Sequence, residues 1–144
     1  MFYGTPGDTD GCTPFHSPGS GTAPWQDAVK AGQSVIVMVD RGDNCTFVQK
    51  VRNGQDAAAT AVVVVDNKDE PLLTVMADDG TGNTIHIPSI LMSMADGTEL
   101  KALVTAGTKV MVQLSWEVVP ATDLNVSNKP NIQVFNLHLH VKEN

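Results

Sequence analysis

From residue 35 onward the chain turns from broken to periodic. Val35–Val39 is an uninterrupted apolar run and Ala61–Val65 is a second. Runs of this kind, rich in β-branched residues and without alternation, belong to strands covered on both faces. The first ends at Asp40-Arg41-Gly42-Asp43, which reads as a turn. Thr46 followed three residues later by Gln49 has the form of a capping box, so a helix is predicted over 46–58. Phe47, Val51, Gly54 and Ala58 share one face at helical spacing, with Gln49, Lys50, Arg52 and Asp56 on the others.

A similar order returns further on. Ile85–Met92 reads as extended, and Pro88 places it at an edge or a bulge. Ser93 caps a predicted helix over 94–106 that turns Leu100, Leu103 and Val104 inward, and Gly107 closes it. Lys109–Trp116 alternates strictly, Val110, Val112, Leu114 and Trp116 against Met111, Gln113 and Ser115, the pattern of a half-buried strand. A last strand, Ile132–Val141, shifts phase near Phe135 and Asn136, where a bulge is expected.

The predicted fold class is therefore α/β, with a core of two β-α-β units: 35–39, 46–58 and 61–65, then 89–92, 94–106 and 109–116. Crossovers through a helix imply parallel pairing with right-handed connections. Residues 1–34 hold Pro6, Pro14, Pro18 and Pro24 among many glycines and read as loop. Within them Trp25 and Val29 form one helical turn that drops an aromatic ring onto the core. The connection 66–84 carries Asp66, Asp69, Glu70, Asp78 and Asp79. A loop so long inside a compact domain is usually functional or mobile.

Composition narrows the picture. The chain has 144 residues, which suits one domain over 1–144. Its net charge is −7, and its Lys and Arg residues are scattered singly, which argues against nucleic acid as a main partner. The longest apolar runs fall far short of the ~18–20 residues that cross a bilayer, so no membrane insertion is expected.

Two cysteines, Cys12 and Cys45, accompany two acceptor triplets for N-linked glycan, at Asn44 and Asn125. The thiols read either as two buried free cysteines or as one disulfide. The glycan triplets and the Gly/Pro-rich N-terminal third favour the disulfide. Closing that loop is worth about 3–4 kcal/mol in the chain-entropy model. Disulfides persist in the secretory lumen or outside the cell, which sets the expected location. Met1-Phe2-Tyr3-Gly4 leads into polar residues rather than an apolar signal core, as in a mature or excised piece of a longer protein.

Catalytic patterns are missing. The sequence holds no G-x-S-x-G elbow, H-E-x-x-H, P-loop or C-x-x-C, and Gly80-Thr81-Gly82 lacks the third glycine of a dinucleotide fingerprint. A triad of Ser89, His86 and Asp78 would place its serine in a strand with no helix N-terminus behind it. No enzyme activity and no cofactor are therefore expected. His138 and His140 would share a strand face and could join a zinc site, but an exposed polar face is the preferred reading. Asp66, Asp69, Asp78 and Asp79 offer oxygen ligands for calcium without EF-hand spacing, so a solvated loop is preferred there too. Arg41-Gly42-Asp43 reads as turn chemistry rather than as an integrin-type tripeptide.

Val37-Met38-Val39-Asp40-Arg41-Gly42-Asp43, then Cys45, Phe47, Asn53 and Gln55, resemble the signature of protease-associated (PA) domains. Ile87-Pro88-Ser89 and Ala95-Asp96-Gly97 through Leu100 fit the same pattern, and the likeness covers about 11–117, leaving 118–144 as linker and strand. The block Asp66-Asn67-Lys68-Asp69-Glu70-Pro71-Leu72-Leu73-Thr74 is similar to the PA domain of plant-type vacuolar sorting receptors. The resemblance implies a non-catalytic module with a small twisted β-barrel-like core, flanking helices and a Cys12–Cys45 staple. It further implies recognition of peptide segments on luminal cargo. The site residues it implies are Arg41, at a strand's C-terminal end, and the facing loop at Thr74, Met76, Asp78 and Asp79. Open α/β sheets do bind ligands beyond those ends, and Arg offers a fork of donors. The alternative for Arg41 is tying down its own turn through Asp40 or Asp43.

Three departures stand out. Gly54 occupies a position usually held by alanine, a cost of about 0.5–1 kcal/mol in helix propensity. Ala58 stands where a glycine commonly closes the helix, and Asn44 is an extra residue before Cys45. Two other roles compete with peptide binding: an assembly domain packed against neighbouring domains of a secreted glycoprotein, and an accessory insert of a protease.

Overall fold

The computed structural model describes residues 1–5, 7–16, 21–42, 44–70, 76–107, 110–118 and 135–143, with backbone alone for 113–118 and 135–143. The chain divides into two compact units, Met1–Thr108 and Lys109–Asn144.

In the first unit the elements run β1 (Phe2–Tyr3), α1 (Gln26–Lys30), β2 (Ile36–Asp40), α2 (Phe47–Asp56), β3 (Ala61–Val65), β4 (Ser89–Met92) and α3 (Met94–Thr105). The four strands form one parallel sheet in the order β1-β2-β3-β4. Its register sets Ile36 beside Ala61 and Asp40 beside Val65. Because strand side chains alternate between faces, Val62 and Val64 point one way and Val63 and Val65 the other. All five β3 residues are buried, so both faces are covered. Val37, Val39, Val62 and Val64 pack with Val51 of α2 and with Phe15 and Trp25. The opposite face meets α3, whose Gly97 lies so close to Val65 that a Cβ would sit 2.1 Å from Val65 Cγ1.

The N-terminal segment is tied in by specific bonds. Trp25 stacks at a tilt against Phe2 and Phe15, and its Nε1–H donates to the Ala57 carbonyl at the end of α2 (2.8 Å). Cys12 and Cys45 form the disulfide, Cα to Cα 5.6 Å. β1 escaped the sequence reading, which gave this stretch as loop; a strand of two residues carries no periodicity to detect.

The helices follow their caps. Gln49 N–H donates to Thr46 Oγ1 (3.2 Å) and Asp96 N–H to Ser93 Oγ (3.1 Å). The capping box at Thr46 is only half made. Gln49 Nε2 reaches forward to Asn53 Oδ1 (2.9 Å) instead of back to the cap. Lys50, expected on an outer face of α2, is 1% exposed and donates to the Asp10 carbonyl (2.7 Å). Gly54 is required rather than tolerated, since a Cβ there would stand 2.5 Å from Val62 Cγ2.

The second unit corrects the second β-α-β expectation. β5 (Val110–Val118) pairs antiparallel with β6 (Phe135–Glu143), where a parallel strand was expected. Strict alternation is the mark of a strand with one covered face, which antiparallel pairing allows. The register runs without a break from Val110 opposite Glu143 to Val118 opposite Phe135, so the bulge expected at Phe135 and Asn136 is absent from it. Ile132 lies outside the described residues, as does Asn125. No helix among the described residues is long and apolar enough to cross a membrane.

Candidate functional site

Parallel pairing in register brings the residues that follow β2 and β3 side by side. Arg41 N–H donates to the Val65 carbonyl (2.7 Å), and Arg41 Nη1 to Asp66 Oδ1 (2.9 Å). The Asp66 side chain is 2% exposed and that of Arg41 20%. Burial works against a charged Asp66 more strongly than any other single influence. The Arg41 bond and the N–H groups of Asn67 and Lys68 together outweigh it and hold the carboxyl below its ordinary value. Arg41 thus has a partner in Asp66, beyond its own turn. Asp40 is occupied by Tyr3 Oη (2.5 Å) and by Lys101, and Asp43 lies outside the described residues. The Arg41 guanidinium also lies 5.8 Å from the centre of the Phe47 ring.

Phe47 leads from Arg41 into a groove of about 220 Å³. Phe47, Val48 and Val51 of α2 form one wall. Met76, Ala77, Asp78 and Ile85 form the other, with Ser89 where β4 begins. The second wall is a strap bound to the outer side of α2. Thr46 Oγ1 donates to Asp79 Oδ2 (2.5 Å), Arg52 Nη2 to the Thr81 carbonyl (2.7 Å) and Gln55 Nε2 to the Thr84 carbonyl (3.0 Å). His86 N–H returns a bond to Gln55 Oε1 (2.7 Å). Asp78 Oδ1 accepts from the N–H groups of Gly80 (3.0 Å) and Gly82 (2.9 Å). The Thr46 hydroxyl, followed by Thr81, holds the Asp79 carboxyl below its ordinary value.

Of the residues singled out in the sequence, Met76 and Asp78 line the groove and Arg41 stands beside its Phe47 end. Asp79 braces the strap from behind, and Thr74 lies outside the described residues. Phe47, Val51 and Ile85 were read only as core or strand positions. Asp66 was read as a member of an acidic loop and one of four oxygen ligands weighed for calcium, not as a partner of Arg41. The runs alone would not have paired it: set end to end, Val35–Val39 and Ala61–Val65 put Asp40 opposite Asp66, and only the sheet register, with Ile36 beside Ala61, brings Arg41 level with Asp66. Among the described residues no hydrogen bond joins Ser89, His86 and Asp78, and no group of three or more His, Cys, Asp or Glu is placed to hold a metal ion.

This arrangement, a parallel sheet with a disulfide-tied N-terminal loop and a strapped groove at α2, accompanies a family match. The model of the PA domain matches residues 2–100, and the chain belongs to that family. The match begins where β1 joins the sheet. Vacuolar-sorting receptor 3 of Arabidopsis thaliana is 42% identical over 95 residues, which cover 61% of this chain and 15% of the receptor. Vacuolar-sorting receptor 7 of the same plant is 36% identical over 125 residues, 82% of this chain and 19% of the receptor. Signal peptide peptidase-like 2, also from Arabidopsis thaliana, is 30% identical over 115 residues, 80% of this chain and 19% of that protein. The chain spans less than a fifth of the length of these relatives.

Proposed function

We propose that this PA domain is a non-catalytic module that binds a peptide segment of a partner protein in the groove between α2 and the 76–85 strap. The observation that carries this reading is the groove itself, apolar along Phe47, Val51, Met76 and Ile85 and flanked by Arg41 at one end. A cleft that exposes both apolar side chains and polar groups suits a side chain and the backbone beside it. Arg41 has donors beyond the one given to Asp66, and a guanidinium can direct several at once to a peptide carbonyl or carboxylate. Similarity to receptors named for vacuolar sorting supports a protein ligand. The same similarity, together with the disulfide, supports a lumenal or extracellular location. Glycans on Asn44 and Asn125, and the barrel-like closure of the sheet implied by the resemblance, belong to this reading.

Arg41 is a poor probe of binding because it also pairs a buried carboxylate. Ala77 is a better one: it is exposed and lines the groove without entering the core. A displayed library of random linear peptides, panned on the chain, is expected to yield clones that lose at least tenfold in affinity for Ala77→Trp while the variant melts as the parent does. Clones that bind the variant equally well, or no enrichment at all, would defeat the proposal.

A further inference from the structure

We propose that the Cys12–Cys45 disulfide is a directional thiol-exchange site, in which an attacking thiolate takes Cys45 and expels Cys12 toward the buried ammonium of Lys50. Lys50 is 1% exposed, yet its Nζ lies 3.4 Å from Cys12 Sγ while donating to the Asp10 carbonyl. A disulfide breaks fastest when the departing sulfur is the one whose thiolate is best stabilised, and an adjacent cation does that.

The step balances. A small thiol loses its proton to solvent, and its sulfur lone pair forms a new bond to Cys45 Sγ. The Cys12–Cys45 bond breaks and its electron pair leaves on Cys12 Sγ. A second thiolate of the same reductant then releases Cys45, and the two reductant sulfurs end joined as a disulfide.

Two neighbouring fields compete with this assignment. Cys45 precedes the cap of α2, where the helix dipole supplies about half a positive charge, partly taken up by Thr46 Oγ1 on Gln49 N–H. Lys50 brings a whole charge at contact distance on the Cys12 side. Asp10, two residues before Cys12, has its oxygens engaged by Asn44 Nδ2 (2.9 Å) and Cys12 N–H (3.0 Å). Asp8 is likewise taken up by Gly11 N–H (2.9 Å) and Thr13 N–H (3.0 Å).

The loop is also held independently of the sulfur bond. Asn53 Nδ2 donates to the Gly11 carbonyl (2.9 Å) and Asp40 N–H to the Thr9 carbonyl (2.8 Å). Cys12 therefore stays beside Lys50 after reduction, and the bond can re-form.

The test treats the folded 144-residue chain briefly with glutathione, quenches in acid and locates the adduct by peptide mass mapping. Glutathione is expected on Cys45 at least tenfold over Cys12, with that bias lost in Lys50→Met. Should Lys50→Met fail to fold, single-cysteine chains serve: Cys12 in Cys45→Ser is expected to alkylate with iodoacetamide at lower pH than Cys45 in Cys12→Ser. Adducts on Cys12, equal adducts, a folded chain inert to glutathione, or the reverse alkylation order would each overturn the proposal.

Discussion

Ala58 holds φ at 61°, a left-handed conformation that costs a non-glycine residue about 1–2 kcal/mol. It is exposed, so a change there meets no packing. Ala58→Gly is expected to stabilise the chain by about 1 kcal/mol, read as a higher midpoint in urea. Four residues earlier the sign reverses. Gly54→Ala improves helix propensity but drives a methyl into Val62, and is expected to lose about 1–3 kcal/mol as overpacked sites do. Both positions were visible in the sequence as departures from the family pattern. The cost assigned to Gly54 came from helix propensity alone, because the distance between α2 and β3 is a tertiary fact. Arg41 gives a third residue-scale prediction. Arg41→Ala leaves Asp66 charged and buried, and is expected to cost about 3 kcal/mol, part of it recovered by Asp66→Asn in the same chain. Full additivity of the two changes in chemical denaturation would contradict the pairing.

The strap, β1 and the loop before α2 add a pH dependence at the scale of elements. Asp10, held by the Asn44 side chain, then by Asp8 and the Cys12 N–H, has its pKa lowered from 3.8 to about 2. Asp66 and Asp79 shift in the same direction. A lowered carboxylate stabilises the fold above its unfolded pKa, and that contribution disappears as pH falls through the folded value. Melting temperature is therefore expected to fall between pH 4 and 2, less steeply in Asp10→Asn. Tyr3 acts at the other end. Burial and the bond to Asp40 push it up to about 12, so its contribution is complete below pH 10 and lost as pH rises toward 12. The elements that sequence reading located, β2, α2, β3, β4 and α3, have long apolar runs or capped helical periods. β1 and the strap have neither. They are defined by partners far along the chain: Tyr3 by Asp40, Thr84 by Gln55, Asp79 by Thr46.

At the scale of the molecule, the disulfide, the loop it ties and the parallel sheet form the support on which the groove stands. Reducing the Cys12–Cys45 bond, which closes a separation of 33 residues, is expected to remove about 3–4 kcal/mol of stability. The membership in the PA family was legible because its signature falls on β2, its turn and α2. The groove was not, because its two walls, α2 and the strap, are separated in sequence and meet only in the folded chain. The central claim is that this groove receives a peptide. Its most direct test is amide chemical-shift mapping of the chain during titration with a library-selected peptide. The account predicts shifts concentrated at Phe47, Val51, Met76, Asp78 and Ile85, with Arg41 Nε–H moving alongside. Saturable shifts confined to β5 and β6, with the groove amides unmoved, would contradict it.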